Sequence, residues 1–195
     1  MRVVVATGNR GKLRELAALL VPLGVELVPQ SDFGIEPPPE TGATFLENAL
    51  IKARHAARIT QLPAIADDSG LEVDALGGAP GVHSARFAGE SASDAENNEK
   101  LLGALASVPH EKRTARYRAV IVFVSGPNDL MPLLGEGAWE GHIGLAPRGA
   151  GGFGYDPLFE PAGSTGTAAE LTPAAKNAVS HRGAALRALL ARWPR

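Results

Sequence analysis

The chain opens with two apolar patterns of different period, separated by a short polar turn. Residues 2–6 form a β-branched run that predicts a strand, and this run ends at the turn-forming segment 7–9. Three leucines then recur at helical spacing, so a helix is expected over Lys12–Leu23. Val25–Pro29 predicts a second strand, which would complete a βαβ unit with parallel strands and a right-handed crossover. The opening therefore favours the α/β class.

A second helix is predicted after a proline-rich segment. Residues 36–40 read Glu-Pro-Pro-Pro-Glu, which indicates a stiff loop, and Thr44 with Glu47 forms a capping box that opens a helix to about residue 60. The apolar positions of this helix share one stripe. A different face carries three polar residues at spacings of four and three, Asn48, Lys52 and His55. This polar face is a candidate wall for a cleft.

Strand and helix patterns continue to alternate along the rest of the chain. The remaining predicted elements are a short strand at 63–66, a helix from the capping box of Ser93 and Glu96 to about 105, a long strand at 113–125, a strand at 133–140 that pairs antiparallel with it, and a final helix capped by Ser180. We find neither an internal repeat nor a linker, and we predict one domain over residues 1–195.

Composition narrows the classes of protein that the chain can belong to. Its 195 residues are 45% apolar, which is enough for a proper core. The 19 basic and 21 acidic residues leave a net charge of −2, so the chain lacks the positive field that holds a nucleic acid polymer. There is no cysteine and no apolar run of about 18 residues. We expect a soluble, cytoplasmic protein that binds no membrane.

The turn from the first strand into the first helix is a candidate phosphate site. A helix that begins here would present its first N–H groups to an anion. The spacing of Gly8, Gly11 and Lys12 is two residues short of a Walker A loop, and Leu13 stands where such a loop needs Ser or Thr, so a P-loop enzyme is excluded. An ordinary turn with an exposed lysine is the alternative.

Two adjacent carboxylates, Asp67 and Asp68, follow the strand predicted at 63–66. Ligand sites of open α/β sheets lie at the carboxyl ends of strands. Like charges this close repel, so the pair indicates either Mg²⁺ binding or a carboxylate with a raised pKa. We choose Asp68 as the reactive residue, with Asp67 as the second choice and a surface turn as the alternative. Glu40 is a candidate second metal ligand.

A glycine-rich segment with two aromatic residues spans residues 149–157. It contains a formal G-x-G-x-x-G match, but no buried strand precedes it and Pro157 follows where a helix should open, so dinucleotide binding is excluded. Phe153 and Tyr155 better suit a purine that lies on an aromatic face. A mobile surface loop is the alternative.

Lys176, His181 and Arg182 could form a group of hydrogen-bond donors near the start of the last helix. A 6-oxo purine presents an acceptor where adenine presents an amino donor, so a donor-lined pocket would favour the 6-oxo purine. A basic helix start without a ligand is the alternative.

Six ordered blocks together resemble the inosine/xanthosine triphosphate pyrophosphatase family, from about residue 3 to residue 190. The blocks are Thr7-Gly8-Asn9-x-x-Lys12, Thr44-Phe45-x-Glu47-Asn48-Ala49, Ala66-Asp67-Asp68-Ser69-Gly70-Leu71, Gly81-Val82-x-Ser84-Ala85-Arg86, Phe153-Gly154-Tyr155-Asp156-Pro157 and Ser180-His181-Arg182. The third and fifth blocks are the most specific. Phe87 departs from the tyrosine that the family often has at this position.

The resemblance implies a fold, a reaction and a set of site residues. The expected fold is an elongated, two-lobed α/β structure with a long central mixed sheet flanked by helices, a substrate cleft between the lobes, and a homodimer. In the expected reaction, water attacks the α-phosphorus of a nucleoside triphosphate such as ITP, dITP or XTP, which yields a monophosphate and pyrophosphate. The substrate-binding residues carried over from the family are Thr7, Gly8, Asn9, Arg10, Gly11, Lys12, Lys52, Ser69, Phe153, Gly154, Tyr155, Asp156, Lys176, His181 and Arg182.

The resemblance also assigns the proton acceptor to Asp68 and the Mg²⁺ ligands to Glu40 and Asp68. In this hypothesis Lys12 and Lys52 offset the charge of the triphosphate. Two other functions stay open: a pyrophosphatase for pyrimidine or other modified nucleoside triphosphates, and a nucleotide sensor without turnover. The sequence does not rank ITP, dITP and XTP or show how GTP is excluded.

Overall fold

The structure, a computed structural model, describes residues 1–193. Its strands are β1 (Arg2–Val5), β2 (Glu26–Pro29), β3 (Ala64–Val73), β4 (Thr114–Val124), β5 (Leu133–Ile143) and β6 (Phe159–Pro161). Its α-helices are α1 (Arg10–Leu20), α2 (Phe45–Thr60), α3 (Asp94–Ala104), α4 (Pro173–Val179) and α5 (His181–Leu190).

The strands form one six-stranded mixed sheet in the order β2-β1-β3-β4-β5-β6. β1 pairs in parallel with β2, Val3 opposite Leu27, and also with β3, Val5 opposite Ile65. β5 pairs antiparallel with β6. The predicted α/β class with a mixed sheet and flanking helices is confirmed. The short strand β6 was not predicted, because three residues show no readable period.

The two capping boxes form as predicted. Thr44 accepts a hydrogen bond from Glu47 N, and the Glu47 carboxylate accepts one from Thr44 N, at the start of α2. Ser93 and Glu96 do the same at the start of α3. Both pairs satisfy backbone N–H groups that a helix start otherwise leaves unbonded, so α2 and α3 begin where the sequence places them.

Three further elements differ from the sequence prediction. α1 begins at Arg10 rather than at residue 12, because the Asn9 side chain caps it. β3 continues through Asp67 and Asp68 to Val73 instead of ending at residue 66, so the two aspartates lie inside a strand. α4 was not predicted; Thr172 caps it and Pro173 occupies its first turn, where a proline is tolerated.

The chain divides into two compact units, and β3, β4 and β5 each contribute residues to both. Of the described residues, the first unit comprises 1–68, 119–137 and 182–193, and the second comprises 69–118 and 138–181. Each has its own apolar cluster. Val5, Leu16 and Leu186 belong to the first cluster, and Leu71, Leu101 and Phe159 belong to the second. The single domain, the elongated shape and the cleft stay predictions.

Within residues 1–193, no helix combines the length and the apolar character that crossing a membrane requires.

Candidate active site

Lys52 lies between two carboxylates of the first unit. Its Nζ is 2.9 Å from Glu40 Oε1 and 2.7 Å from Asp68 Oδ1. Burial by itself lowers the pKa of Lys52, but Asp68 and Glu40 outweigh burial and raise that pKa above its ordinary value. Because both carboxylates contact the same nitrogen, they are close enough together to be bridged by one positive charge.

Asp67, the preceding residue of β3, pairs with a different set of cations. Its Oδ2 is 2.9 Å from Lys12 Nζ of α1 and 3.3 Å from Arg182 Nε of α5. Arg182 is 2% exposed and also forms an ion pair with Glu15 of α1. Successive residues of a strand point to opposite faces, and the two aspartates form their ion pairs with different cations.

The adjacent aspartates have pKa values that shift in opposite directions. For Asp67, burial by itself raises the pKa, but Arg182 and Lys12 outweigh it and hold the pKa well below its ordinary value. For Asp68, burial has the larger effect and raises the pKa in spite of Lys52 and Lys12. A carboxylate with a raised pKa is the stronger base, which favours Asp68 over Asp67 for that role.

One oxygen of Asp68 is still available as an acceptor. Oδ1 accepts from Lys52, whereas Oδ2 is buried and has no hydrogen-bond partner among residues 1–193. Buried polar atoms are normally satisfied, and exceptions concentrate where a ligand, ion or water belongs. The oxygen is therefore a candidate contact for a water molecule or a metal ion.

The turn at residues 7–12 is ordered by its own side chains. Asn9 Oδ1 accepts hydrogen bonds from Gly11 N at 2.8 Å and from Lys12 N at 3.1 Å, while Thr7 Oγ1 accepts from Asn9 N at 3.1 Å. The expectation that the first helical N–H groups are free for an anion is wrong for Gly11 and Lys12, because the cap uses them. The positive charge of this segment comes from the Lys12 side chain and from the exposed Arg10.

The segment that carries Glu40 is fastened to α2 by Asn48. Asn48 is fully buried, and its Oδ1 accepts a hydrogen bond of 2.8 Å from Gly42 N. A Cβ added at Gly42 would lie 2.6 Å from Glu47 Cβ and 2.7 Å from Asn48 Oδ1, so the backbone approaches the helix too closely for a side chain. Of the predicted polar face, Asn48 and Lys52 belong to this site, while His55 contacts the Glu36 carbonyl.

In the second unit, Asp156 orders the glycine-rich segment 149–157, which we call the aromatic loop. Asp156 Oδ2 accepts hydrogen bonds from Phe153 N at 2.9 Å and from Lys176 Nζ at 2.5 Å. Lys176 Nζ also lies 4.7 Å from the centroid of the Phe153 ring, within the range of a cation–π contact. A Cβ at Gly152 would overlap Asp156 Oδ2, so this loop depends on glycine at that position.

The two aromatic residues of this loop have different environments. Tyr155 is 3% exposed, belongs to the core of the second unit, and donates a hydrogen bond of 2.8 Å from its hydroxyl to the Ser84 carbonyl. The expectation that Tyr155 offers a face to a purine is therefore wrong, because its ring packs among other apolar side chains. Phe153 is half-buried and is the remaining candidate for stacking.

Gly154 is held by α3, a contact that the sequence did not reveal. Its N–H donates to Asp94 Oδ2 at 2.7 Å, and its carbonyl accepts from Asn98 Nδ2 at 2.8 Å. Glu15, the partner of Arg182, was also missed. A signal existed for Glu15, since it follows Lys12 by one helical turn. For Asp94 and Asn98, a spacing of four gives only a shared face of a helix.

The three expected donors, Lys176, His181 and Arg182, each have other partners in the structure. Lys176 belongs to α4, and His181 stacks on Tyr117 with ring centroids 4.7 Å apart. Arg182 belongs to the first unit, where it pairs with Asp67 and Glu15. α4 ends at Val179 and α5 begins at His181, so the three side chains come from two helices, and their convergence on one group stays a prediction. Ser69 is half-buried and follows Asp68 in β3.

Comparisons with known proteins agree on one family. The profile of the Ham1 family matches residues 3–192. The chain is 58% identical to the dITP/XTP pyrophosphatase of Yersinia pseudotuberculosis serotype I (strain IP32953) and 54% identical to that of Escherichia coli (strain K12), in both cases over 97% of this chain and 96% of the relative. A HAM1 protein from Coxiella burnetii superimposes with a TM-score of 0.88 at 50% identity, covering 96% of this chain and 95% of that one.

Proposed function

The chain belongs to the Ham1 family, and on that basis we propose that it hydrolyses faulty 6-oxo purine nucleoside triphosphates, such as ITP, dITP and XTP, to the monophosphate and pyrophosphate. It is a nucleoside triphosphate pyrophosphatase, a hydrolase of acid anhydride bonds. The observation that carries the proposal is the pair of carboxylates, Glu40 and Asp68, that share Lys52 beside a second buried lysine, Lys12.

The lysines of the first unit suit a triphosphate. Lys12 and Lys52 are both largely buried, with side-chain exposures of 14% and 9%, so their charges are weakly screened by water. Burial lowers the pKa of Lys12, with Asp67 only partly offsetting it. An anion close to Lys12 would reverse this effect and stabilise the ammonium form. Thr7, Gly8, Asn9, Arg10, Gly11 and Ser69 complete the proposed phosphate and sugar contacts.

Glu40 and Asp68 would hold Mg²⁺. Carboxylates are the oxygen ligands that Mg²⁺ prefers, and Asp68 Oδ2 is a buried acceptor that no described residue uses. Within residues 1–193 no group of three or more His, Cys, Asp or Glu side chains is placed to hold a metal. Two carboxylates fit the ion nonetheless, because Mg²⁺ at phosphate sites uses one or two carboxylates together with substrate phosphates and water. When bound, the ion would neutralise phosphate charge.

Asp68 is the proposed general base. Lys52 fixes Oδ1, and Oδ2, which no described residue uses, would orient the attacking water or take its proton. That Asp68 serves both as a metal ligand and as the base is part of the proposal. In the proposed step Asp68 accepts a proton from the attacking water, an O–P bond forms at the α-phosphorus, and the bond to the bridging oxygen breaks. Pyrophosphate leaves, and Lys12 and Lys52 offset its charge.

Recognition of the purine is proposed to rest on the aromatic loop and on donors from α4 and α5. Phe153 would stack on the base, and Asp156 would keep Lys176 and Phe153 in place. Lys176, His181 and Arg182 are the donors proposed to read the 6-oxo group. Gly154 would contact the base through its backbone, and Tyr155 would support the loop from the core.

Pyrophosphate release from a panel of substrates tests the function. We expect release from ITP, dITP and XTP with Mg²⁺, loss of release after chelation by EDTA, and much slower release from ATP, GTP and TTP. Preference for TTP or another pyrimidine triphosphate would favour a different pyrophosphatase. Binding of ITP without any release would favour a nucleotide sensor.

We also propose that the protein works as a homodimer in the cytoplasm. Both statements rest on the resemblance to the family and on the nucleotide pool as the source of substrate. Sedimentation equilibrium at several protein concentrations measures the oligomeric state, and fractionation of the producing cells followed by immunodetection measures the location.

A further inference from the structure

Two side chains of α3 hold both backbone polar groups of Gly154. The Asp94 carboxylate accepts from Gly154 N at 2.7 Å, and Asn98 Nδ2 donates to Gly154 O at 2.8 Å. Asp94 and Asn98 are four residues apart and therefore share one face of the helix. Asn98 Nδ2 also donates to the Asp94 carbonyl at 2.6 Å, which restricts the orientation of the amide. Together these contacts fix the peptide units on both sides of the Gly154 Cα.

Gly154 lies in a part of the aromatic loop that needs stabilising contacts from residues outside the loop. Gly154 has φ +62, in the left-handed region, and nothing lies within 4 Å of the place where its Cβ would be. Glycine loses more conformational freedom than any other residue when it is ordered. Phe153, which precedes Gly154, carries the ring that contacts Lys176. A change in the Gly154 backbone would therefore move that ring.

We infer that Asp94 and Asn98 are positioning residues for base recognition: they fix the Gly154 backbone and thereby hold the Phe153 ring where a purine can stack. This inference rests on the proposed function, because it takes the aromatic loop as the site of the base. The pair lies outside every sequence block that resembles the pyrophosphatase family.

Capping of α3 is not the reason for Asp94. Ser93 and Glu96 already form the capping box: Glu96 Oε2 accepts from Ser93 N at 2.7 Å, and Ser93 Oγ accepts from Glu96 N at 3.3 Å. The Asp94 carboxylate instead accepts a hydrogen bond from the aromatic loop. This division separates a role in helix stability, carried by Glu96, from a role in loop position, carried by Asp94.

Binding of two products tests the inference, since one product carries a base and the other does not. In Asp94→Ala we expect the Kd for inosine monophosphate, measured by calorimetry, to rise on the order of tenfold, as suits the loss of a hydrogen bond to a charged group. The inhibition constant of pyrophosphate should stay within about twofold of the parent, and kcat for ITP should change far less than KM. Asn98→Ala should act in the same direction with a smaller effect, because its bond is between neutral groups.

Two matched variants separate positioning from loss of structure. Glu96→Ala removes the capping box of α3 without touching Gly154, so it should lower the melting temperature and leave the Kd for inosine monophosphate unchanged. Asp94→Asn keeps an acceptor oxygen without the charge and should recover part of the affinity that Asp94→Ala loses.

Three results would overturn the inference. The first is an unchanged Kd for inosine monophosphate in Asp94→Ala. The second is an equal rise of this Kd in Glu96→Ala. The third is an equal rise of the inhibition constant of pyrophosphate in Asp94→Ala. A parent protein that releases no pyrophosphate from ITP would instead refute the proposed function, and the inference with it. An active parent with unaffected α3 variants refutes the inference alone.

Discussion

The two candidate sites, one in each unit, are built in different ways. In the first unit, charged side chains on strand β3 and on helices α1, α2 and α5 pair directly with one another. In the second unit, the candidate base site is a glycine-rich loop whose backbone groups are bonded by side chains, Phe153 N by Asp156 and Gly154 by Asp94 and Asn98. The charged side chains of the first unit are held by helices and a strand, whereas the aromatic loop of the second unit is held by side chains that bond to its backbone.

The difference matches the tasks that we propose for the two sites. Hydrolysis requires a base and cations held in productive geometry, and small displacements there reduce the rate strongly. Recognition of a base requires a surface of defined shape, and errors there mainly weaken binding. Changes in the first unit should therefore lower kcat or stability, whereas changes around the aromatic loop should raise KM.

The largest effect is expected for Asp68→Asn. Loss of a positioned general base should lower kcat for ITP by about 10²- to 10⁴-fold. Stability in the absence of Mg²⁺ should stay the same or increase, because burial disfavours the ionised form of Asp68 and Lys52 keeps Glu40 as a partner. Rates of pyrophosphate release and urea denaturation measure the two quantities. A variant that hydrolyses ITP at the parent rate would remove Asp68 from the mechanism.

Asp67→Asn should mainly reduce the stability of the fold, whereas Asp68→Asn should mainly reduce kcat. The substitution leaves Lys12 and Arg182 without the buried carboxylate that they share, and breaking such a pair costs about 3–5 kcal/mol. Because Glu15 still pairs with Arg182, the lower end of that range is expected. Urea denaturation of the two aspartate variants side by side provides the measurement. If Asp68→Asn proved the less stable of the two, our division between a base and a structural anchor would be wrong.

A smaller effect is expected for Gly42→Ala. The added Cβ would lie 2.6 Å from Glu47 Cβ, so the segment that carries Glu40 must shift away from α2 and strain its hydrogen bond to Asn48. We expect kcat/KM for ITP to fall about tenfold and more Mg²⁺ to be needed for half-maximal rate. Gly126→Ala is the control, because nothing lies within 4 Å of its Cβ position. Equal losses in both variants would contradict the proposed dependence on Glu40.

Elements with a strong local signal could be predicted from the sequence. The capping boxes of Thr44 and Ser93 place α2 and α3 correctly, because the capping residues are encoded within four positions of one another. Asp68 and Lys52 were both singled out from the sequence, but the ion pair between them was not predicted. Local pattern thus predicted the α/β class and singled out Asp67 and Asp68 as candidates, whose roles stay predictions.

Features that depend on distant residues could not be predicted. The contact between Asp94 and Gly154 joins residues 60 positions apart, and nothing near Asp94 indicates its partner. The end of β3 was misplaced because two aspartates read as a turn, whereas their charges are in fact satisfied by lysines and an arginine brought from three helices. Tyr155 was assigned to the ligand because an aromatic residue in a glycine-rich loop shows no sign of which way it points.

The smallest effect is expected for an exposed ion pair of the second unit, which serves as a reference for the buried ones. Asp74 receives hydrogen bonds of 2.8 and 3.0 Å from the Arg116 guanidinium, and its side chain is 45% exposed. The bonds from Arg116 and from Thr114 lower the pKa of Asp74. Asp74→Asn should therefore cost less than about 1 kcal/mol at neutral pH.

The dependence on pH and salt distinguishes this exposed pair from Asp67. A carboxylate with a lowered pKa stabilises the fold above its unfolded pKa of about 3.9, and this contribution is lost as the pH falls through the folded pKa. The gap between parent and Asp74→Asn in urea denaturation should therefore close below about pH 4, and it should also shrink in 1 M salt, where the Debye length is about 3 Å. The gap for Asp67→Asn should persist in salt, because water and ions do not reach a buried pair. If salt erased both gaps equally, the charges of the first unit would be no better shielded than a surface pair, and the contrast between the two sites would fail.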